Sequence, residues 1–217
     1  MERWDCVETH NTTTNTQLPS NITTTILTTT TILSLLPLAL ALPTPQDAPA
    51  TAPQTFAGIA IRSASPIQYA TVNAISLALY LQRPTTTYCP SIPGLTCPSN
   101  PSTLFVGPSE YGTLSLKTTV PGGQQVYIAA DGRAKFTQAH SANTGVGSTV
   151  TGFSVKDGGL QWQGNDFVAC PASEAEGGGY AVFAAAVNGT GSSGEGCLGF
   201  KFRVEKPGTA EGAWQYA

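Results

Sequence analysis

Charge is the scarcest commodity in this chain. Asp, Glu, Lys and Arg together make up 11% of its 217 residues, against about 25% in ordinary soluble domains. The formal net charge is −3, and no run of Lys or Arg marks a nucleic-acid or anionic-membrane footprint, so those partners are not expected. Histidine is nearly absent, with 2 in the chain, which leaves little for metal binding or imidazole catalysis. No Cys-x-x-Cys pair exists to nucleate a zinc site. No uninterrupted apolar run reaches the roughly 18 residues that a membrane-spanning helix needs.

The apolar run that is present, Ile32 to Ala41, is shorter and carries Pro37 in its middle. It ends in Ala39-Leu40-Ala41, the small-x-small pattern of a signal-peptidase site, and is read as the h-region of a cleaved signal. The segment before it contains Arg3 against Glu2, Asp5 and Glu8, and is otherwise rich in threonine. That is a poor basic n-region, and it points to a misassigned start codon rather than to an O-glycosylated stalk. Residues 1–41 are therefore set apart as a pre-segment. Residues 42–54 form a Pro/Ala-rich linker, and 55–217 a single domain. Without 41 of its residues the chain keeps 176, with Lys+Arg falling from 10 to 9 and Asp+Glu from 13 to 10. One domain of this size buries roughly 70% of its unfolded surface.

Cysteine usage fits an oxidising compartment. Cys6 lies in the pre-segment, and an even four remain: Cys89, Cys97, Cys170 and Cys197. Three connectivities are possible. The compact, turn-rich stretch Cys89-Pro-Ser-Ile-Pro-Gly-Leu-Thr-Cys97 closes easily on itself, which favours Cys89–Cys97 with Cys170–Cys197. Asn188-Gly189-Thr190 is a sequon for N-glycosylation on a surface loop.

From residue 55 onward, short segments with period-two alternation follow one another, separated by turn chemistry. Phe200, Phe202 and Val204 alternate with Lys201, Arg203 and Glu205, and Asp131-Gly132 between two such segments signals a hairpin. Val72 to Leu81 reads as one strand, with a short helix as the competing reading. The pattern predicts an all-β domain of about 10–12 short strands, stapled by disulfides. A single antiparallel sandwich is preferred to a barrel, and a β-trefoil is the alternative.

Catalytic constellations are thin. His140 beside Ser141 lacks a Gly-x-Ser-x-Gly elbow. Glu110, Asp131, Asp157 and Asp166 flank strands, but Asp131 and Asp157 stand in Asp-Gly turns, where Asp serves the turn. Trp162, Phe167, Tyr180, Phe183, Phe200 and Trp214 include candidates for a sugar-stacking platform. Their alternating positions assign most of them to the core and leave Trp162 or Trp214 as the exposed one. No catalytic residue, cofactor site or metal site is assigned.

Pro121-Gly122-Gly123-Gln124-Gln125-Val126-Tyr127-Ile128, Phe136-Thr137-Gln138-Ala139-His140-Ser141, Phe167-Val168-Ala169-Cys170-Pro171-Ala172, Cys197-Leu198-Gly199-Phe200 and Ala213-Trp214-Gln215-Tyr216 stand in this order. Together they resemble the fungal PhiA family of secreted cell-wall proteins over about residues 55–217. The resemblance implies a non-catalytic structural or developmental wall protein, of a kind needed for phialide and conidium formation, with IgE-binding allergens among its relatives. It carries over no catalytic residues. Gln68 and the strand from Ile75 to Tyr80 depart from the family pattern. Two function classes follow: a non-catalytic wall protein with cell-wall polysaccharide as a possible partner, or a secreted carbohydrate-binding protein or glycan-active enzyme.

Overall fold

The computed structural model describes residues 54–187 and 193–217. The pre-segment, most of the linker and the sequon residue Asn188 lie outside the described residues. Those described form fourteen strands and one short 3-10 turn, Glu174–Glu176, with no α-helix among them. In chain order the strands are β1 (Thr55–Ile61), β2 (Val72–Ile75), β3 (Ala78–Leu81), β4 (Thr87–Tyr88), β5 (Phe105–Val106), β6 (Leu114–Leu116) and β7 (Gln125–Ile128). They continue with β8 (Ala134–Phe136), β9 (Phe153–Lys156), β10 (Gly159–Trp162), β11 (Phe167–Pro171), β12 (Tyr180–Ala184), β13 (Leu198–Glu205) and β14 (Gln215–Tyr216).

All strand pairings are antiparallel, and they close on themselves. The order β1-β5-β6-β7-β8-β3-β12-β11-β13 returns to β1 through the register Ala57↔Glu205 to Ile61↔Lys201. Of the sandwich and the barrel, the closed form is therefore what the pairings describe, with the hairpin β9–β10 added outside β13 and β2 outside β3. Closure removes the open sheet edges that β1 and β13 would otherwise present. A β-trefoil, which repeats one four-strand unit three times, is not formed, because this strand order has no threefold recurrence.

Alternation is the local reason for these strands. Along β1 the buried positions are Phe56, Gly58 and Ala60, with half-buried residues between them. Such a period-two pattern satisfies one buried and one wetter face. Asp131-Gly132 does form a hairpin between β7 and β8: Ala129 N–H donates to Arg133 O at 3.0 Å, Asp131 Oδ1 accepts the Arg133 N–H, and Gly132 takes a positive φ of 86°. Val72–Leu81, read from sequence as one segment, is instead the hairpin β2–β3. Its turn is made by Ser76 and Leu77, whose φ values are 51° and 58°. Neither is a glycine, so nothing in the sequence marked the reversal.

One aromatic chain runs through the core. Phe56 stacks on Phe105 with centroids 5.5 Å apart, Phe105 meets Phe202 edge-on at 5.5 Å, and Phe202 touches Phe167 at 5.6 Å. Phe202 is fully buried, and its ring lies across β1 directly over Gly58, where a Cβ would overlap the ring. The closing pair of strands thus approaches as closely as it does because Gly58 has no side chain.

Gly58→Val should lower stability by about 1–3 kcal/mol or more, the usual cost of forcing extra volume into a packed core. Urea unfolding checks this through the midpoint at constant slope; an unchanged midpoint would contradict the ring-over-glycine packing.

Candidate functional site

A concave surface lies beside the C-terminal strand, lined in part by the residues just before it. Two-stranded pairing sets Gln215 opposite Tyr88 and Tyr216 opposite Thr87. Alternation then buries Tyr216 completely while Tyr88 remains 54% exposed. Next to Tyr88, the Cys89–Cys97 disulfide ties off a small loop with Cα atoms 6.2 Å apart. Inside it, Leu95 N–H donates to Ile92 O at 3.1 Å, and the Ile92 side chain is left 52% exposed. Tyr88, Ile92 and Pro93 form an uncharged, pre-organised knob.

Tyr216 and Gln124 hold this region to the barrel. Gln124, buried to 1% exposure, donates from Nε2 to Thr137 O and Tyr216 O, both at 3.0 Å, and accepts the Tyr216 N–H on Oε1 at 2.7 Å. The Tyr216 hydroxyl donates to Ser102 O at 2.7 Å and accepts the Leu104 N–H at 3.1 Å. Five backbone groups on three separate segments, at 102–104, 137 and 216, are satisfied by two side chains, as buried polar groups require. Burial pushes the phenol of Tyr216 up to about 12, against its hydrogen bond with Leu104, which lowers it.

Leu104 is also one wall of a cleft of about 340 Å³, lined by Pro98, Leu104, Pro207 and Ala213 with exposed Lys117 and Glu211 beside them. Pro98 directly follows Cys97, so the disulfide-tied knob stands at the edge of this cleft. Ser102 N–H donates to Glu211 O at 2.9 Å and fixes the opposite wall. Such a surface binds by packing and by displacing water from apolar walls.

The residues weighed as catalysts fall elsewhere and apart. His140 and Ser141 line a shallow hollow with Pro121 and Gly122, and Ser141 Oγ accepts the Asn143 N–H at 3.1 Å in a local turn. Asp131 is occupied in the β7–β8 turn, Asp157 turns β9 into β10 with a φ of 50°, and Asp166 accepts from Gln161 Nε2 at 3.2 Å. Glu110 lies in the turn between β5 and β6. Among the described residues no group of three His, Cys, Asp or Glu side chains could hold a metal. Cys170 and Cys197 are bridged across the edge of β11 and β13.

The aromatic expectation needs correcting. Trp162 is not exposed: it is 5% accessible, and its indole N–H donates to Thr151 O at 2.9 Å. The neighbouring β9–β10 strands and the 151–152 turn enclose it. Phe167, Phe183 and Phe200 are buried, and Trp214 and Tyr180 are half-buried. Among the described residues the exposed aromatics are Tyr69, Tyr88 and Tyr111, at 69%, 54% and 76%. All three stand in turns or at the edge of a two-residue strand, where no alternation marks them.

A second, smaller apolar cluster occupies the outer face of β3, β11 and β12, where Ala78, Tyr80, Cys170, Ala181 and Phe183 are buried. The guanidinium of Arg83 covers the Tyr80 ring at 4.3 Å, and that of Arg133 lies 5.7 Å from Tyr80 and 5.5 Å from Phe183. Arg133 pairs with Glu176 at 2.8 Å. That hydrogen bond, with a second from the Ser173 backbone, holds the Glu176 carboxyl below its ordinary range. These arginines act as a cover for the apolar rings, by cation–π contact and by their long stems.

The family described as "PhiA-like secreted protein" matches residues 56–217. A protein of Arthroderma benhamiae described as an uncharacterized secreted protein is 35% identical over 158 residues, covering 67% of this chain and 76% of its own length. No solved structure matches.

Tyr216→Phe keeps the ring but strands the Leu104 N–H and Ser102 O, and should cost about 1–3 kcal/mol. The raised phenol makes the native fold lose stability as pH climbs from the ordinary value of 10.0 towards about 12, because the unfolded chain gives up its proton first. Ultraviolet titration with parallel circular dichroism checks this. Burial also raises the phenol of Tyr127, so the step to follow is that of Tyr216, which should coincide with unfolding near the top of that window and be missing from the Phe variant. Ionisation of all seven tyrosines at ordinary pH with the fold intact would contradict it.

Proposed function

Because this chain belongs to the PhiA-like secreted protein family, we propose that it is a non-catalytic cell-wall protein that works by surface contact, in the developmental setting of phialide and conidium formation. One observation carries the reading. The histidine, serine and acids that chemistry would require are dispersed over separate turns, while the concave surface is walled mainly by apolar and small groups, with Lys117 and Glu211 at its side. General acid–base work needs its groups within hydrogen-bond reach of one substrate, and hydrolysis of a glycosidic bond needs two facing carboxyls. Neither arrangement arises from these turns.

The exposed tyrosines favour one further reading within the secreted class, a carbohydrate-binding protein. A tyrosine ring offers a flat apolar face and a hydroxyl, which suits a sugar ring at low entropic cost. Under either reading the Cys89–Cys97 knob and its cleft form the contact surface, and wall polysaccharide is the partner that the extracellular setting provides.

Fractionation of hyphae after expression of the full chain tests the proposal. The protein should be enriched in the wall fraction, release no soluble sugar from purified wall glycans, and leave the wall more readily when Tyr88→Ala is combined with Ile92→Ser. Sugar release that disappears on substituting Glu110, Asp131, Asp157 or Asp166 would replace it with an enzyme.

A further inference from the structure

The cations of this charge-poor chain are not spread evenly over its surface. Gly159 on β10 lies opposite Lys156 on β9 and opposite Arg203 on β13, so Lys156 and Arg203 flank it in one row of the sheet. Adjacent strands are about 4.8 Å apart, which puts the two cation-bearing backbones about 10 Å from each other. Lys201, two residues from Arg203 and therefore on the same face, lays its stem over Gly159: a Cβ there would stand 2.6 Å from Lys201 Cε. Lys201 Nζ donates to the Asp157 carbonyl at 3.1 Å. Three cations from two strands, β9 and β13, thus gather around a residue with no side chain, beside a hollow of about 300 Å³ lined by Ile61, Asp157, Gly158, Lys201, Arg203 and Val204.

Like charges on neighbouring strands repel, and the counter-charge supplied by the chain is partial. Glu205 meets Arg203 Nε at 2.7 Å, but both side chains are well exposed, at 58% and 38%. An exposed pair of this kind contributes little and exchanges readily for another oxyanion. Asp157 is exposed at the turn. Lys156 and Arg203 are both exposed. Ile59, opposite Arg203, and Ile61, opposite Lys201, continue the same face as an apolar floor.

We propose that this face of β9, β10, β13 and β1 is a binding site for an acidic saccharide, its phosphate or carboxylate oxyanions held between Lys156, Lys201 and Arg203. The sugar ring lies on Ile61, beside the Lys201 stem that covers Gly159. Arg203 supplies the planar fork that grips such oxyanions in two-point contact, and the lysines supply point charges. An extracellular protein meets such groups on acidic wall and capsule polymers. The site lies on different strands from the Cys89–Cys97 knob and goes beyond the wall reading, so either can fail alone.

Binding of the full secreted chain to four purified polymers tests it: phosphorylated mannan, polygalacturonate, unphosphorylated mannan and laminarin. Binding to phosphorylated mannan alone assigns the site to phosphate, binding to polygalacturonate alone assigns it to carboxylate, and the neutral polymers, which only the knob would hold, should bind more weakly and without regard to Lys201 and Arg203. Lys201→Gln with Arg203→Gln should weaken binding about tenfold or more, and Lys156→Gln alone should flatten its salt dependence. Arg83→Gln with Lys135→Gln removes the same charge elsewhere and should leave affinity unchanged. No binding to either acidic polymer, equal binding to neutral ones, or equal losses in the two double variants would overturn the site.

Discussion

The pairing of β1 with β13 is the contact on which the rest of this molecule depends. Without it the strand order is an open sheet with two long edges, and Phe202 has no ring of neighbours to enter. Close approach of these strands is possible because Gly58 leaves room for the Phe202 ring. Burying that ring removes a large apolar surface from water. A conformational concession at one glycine, which weakens a strand interior when taken alone, is offset by the aromatic packing it admits.

Both surfaces described above inherit their geometry from that closure. β13 is paired on one side with β1 and on the other with β10 and β11, which brings Lys156, Lys201 and Arg203 together. At the other end of the chain, the Gln124–Tyr216 hydrogen bonds draw the final strand against β4 and so set the cleft and the disulfide-tied knob. Gln124 and Tyr216 are buried there, and their side-chain polar groups are paired. Such a network specifies a single arrangement rather than adding much net stability.

Alternation made much of the fold legible. β1, β7, β8 and β13 carry it clearly, and the Asp131-Gly132 hairpin announced itself through residues that accept a left-handed turn. The all-β class follows from the same reading, and the even count of four cysteines with the compact 89–97 loop pointed to the two disulfides. What escaped has physical reasons. Ser76 and Leu77 adopt a left-handed turn without glycine, so β2 and β3 read as one segment. β4 has two residues, too few for any period to show. Gln124 and Tyr216 are 92 positions apart, and their partnership leaves no trace in spacing. The cation cluster is likewise a product of strand register, invisible while Lys156 and Arg203 stand far apart in the sequence. Trp162 is enclosed by its own hairpin and the preceding turn, which alternation alone does not reveal.

Native-state amide hydrogen exchange tests the closed-barrel account most directly. Closure and the C-terminal clasp make the barrel one cooperative unit, so the amides of Ala60, Phe202 and Tyr216 should exchange only through global unfolding, with opening free energies equal to that from denaturant. If the Tyr216 and Phe202 amides exchange freely while those of β7 and β12 stay protected, β13 and β14 are not integral to the barrel and the account is wrong.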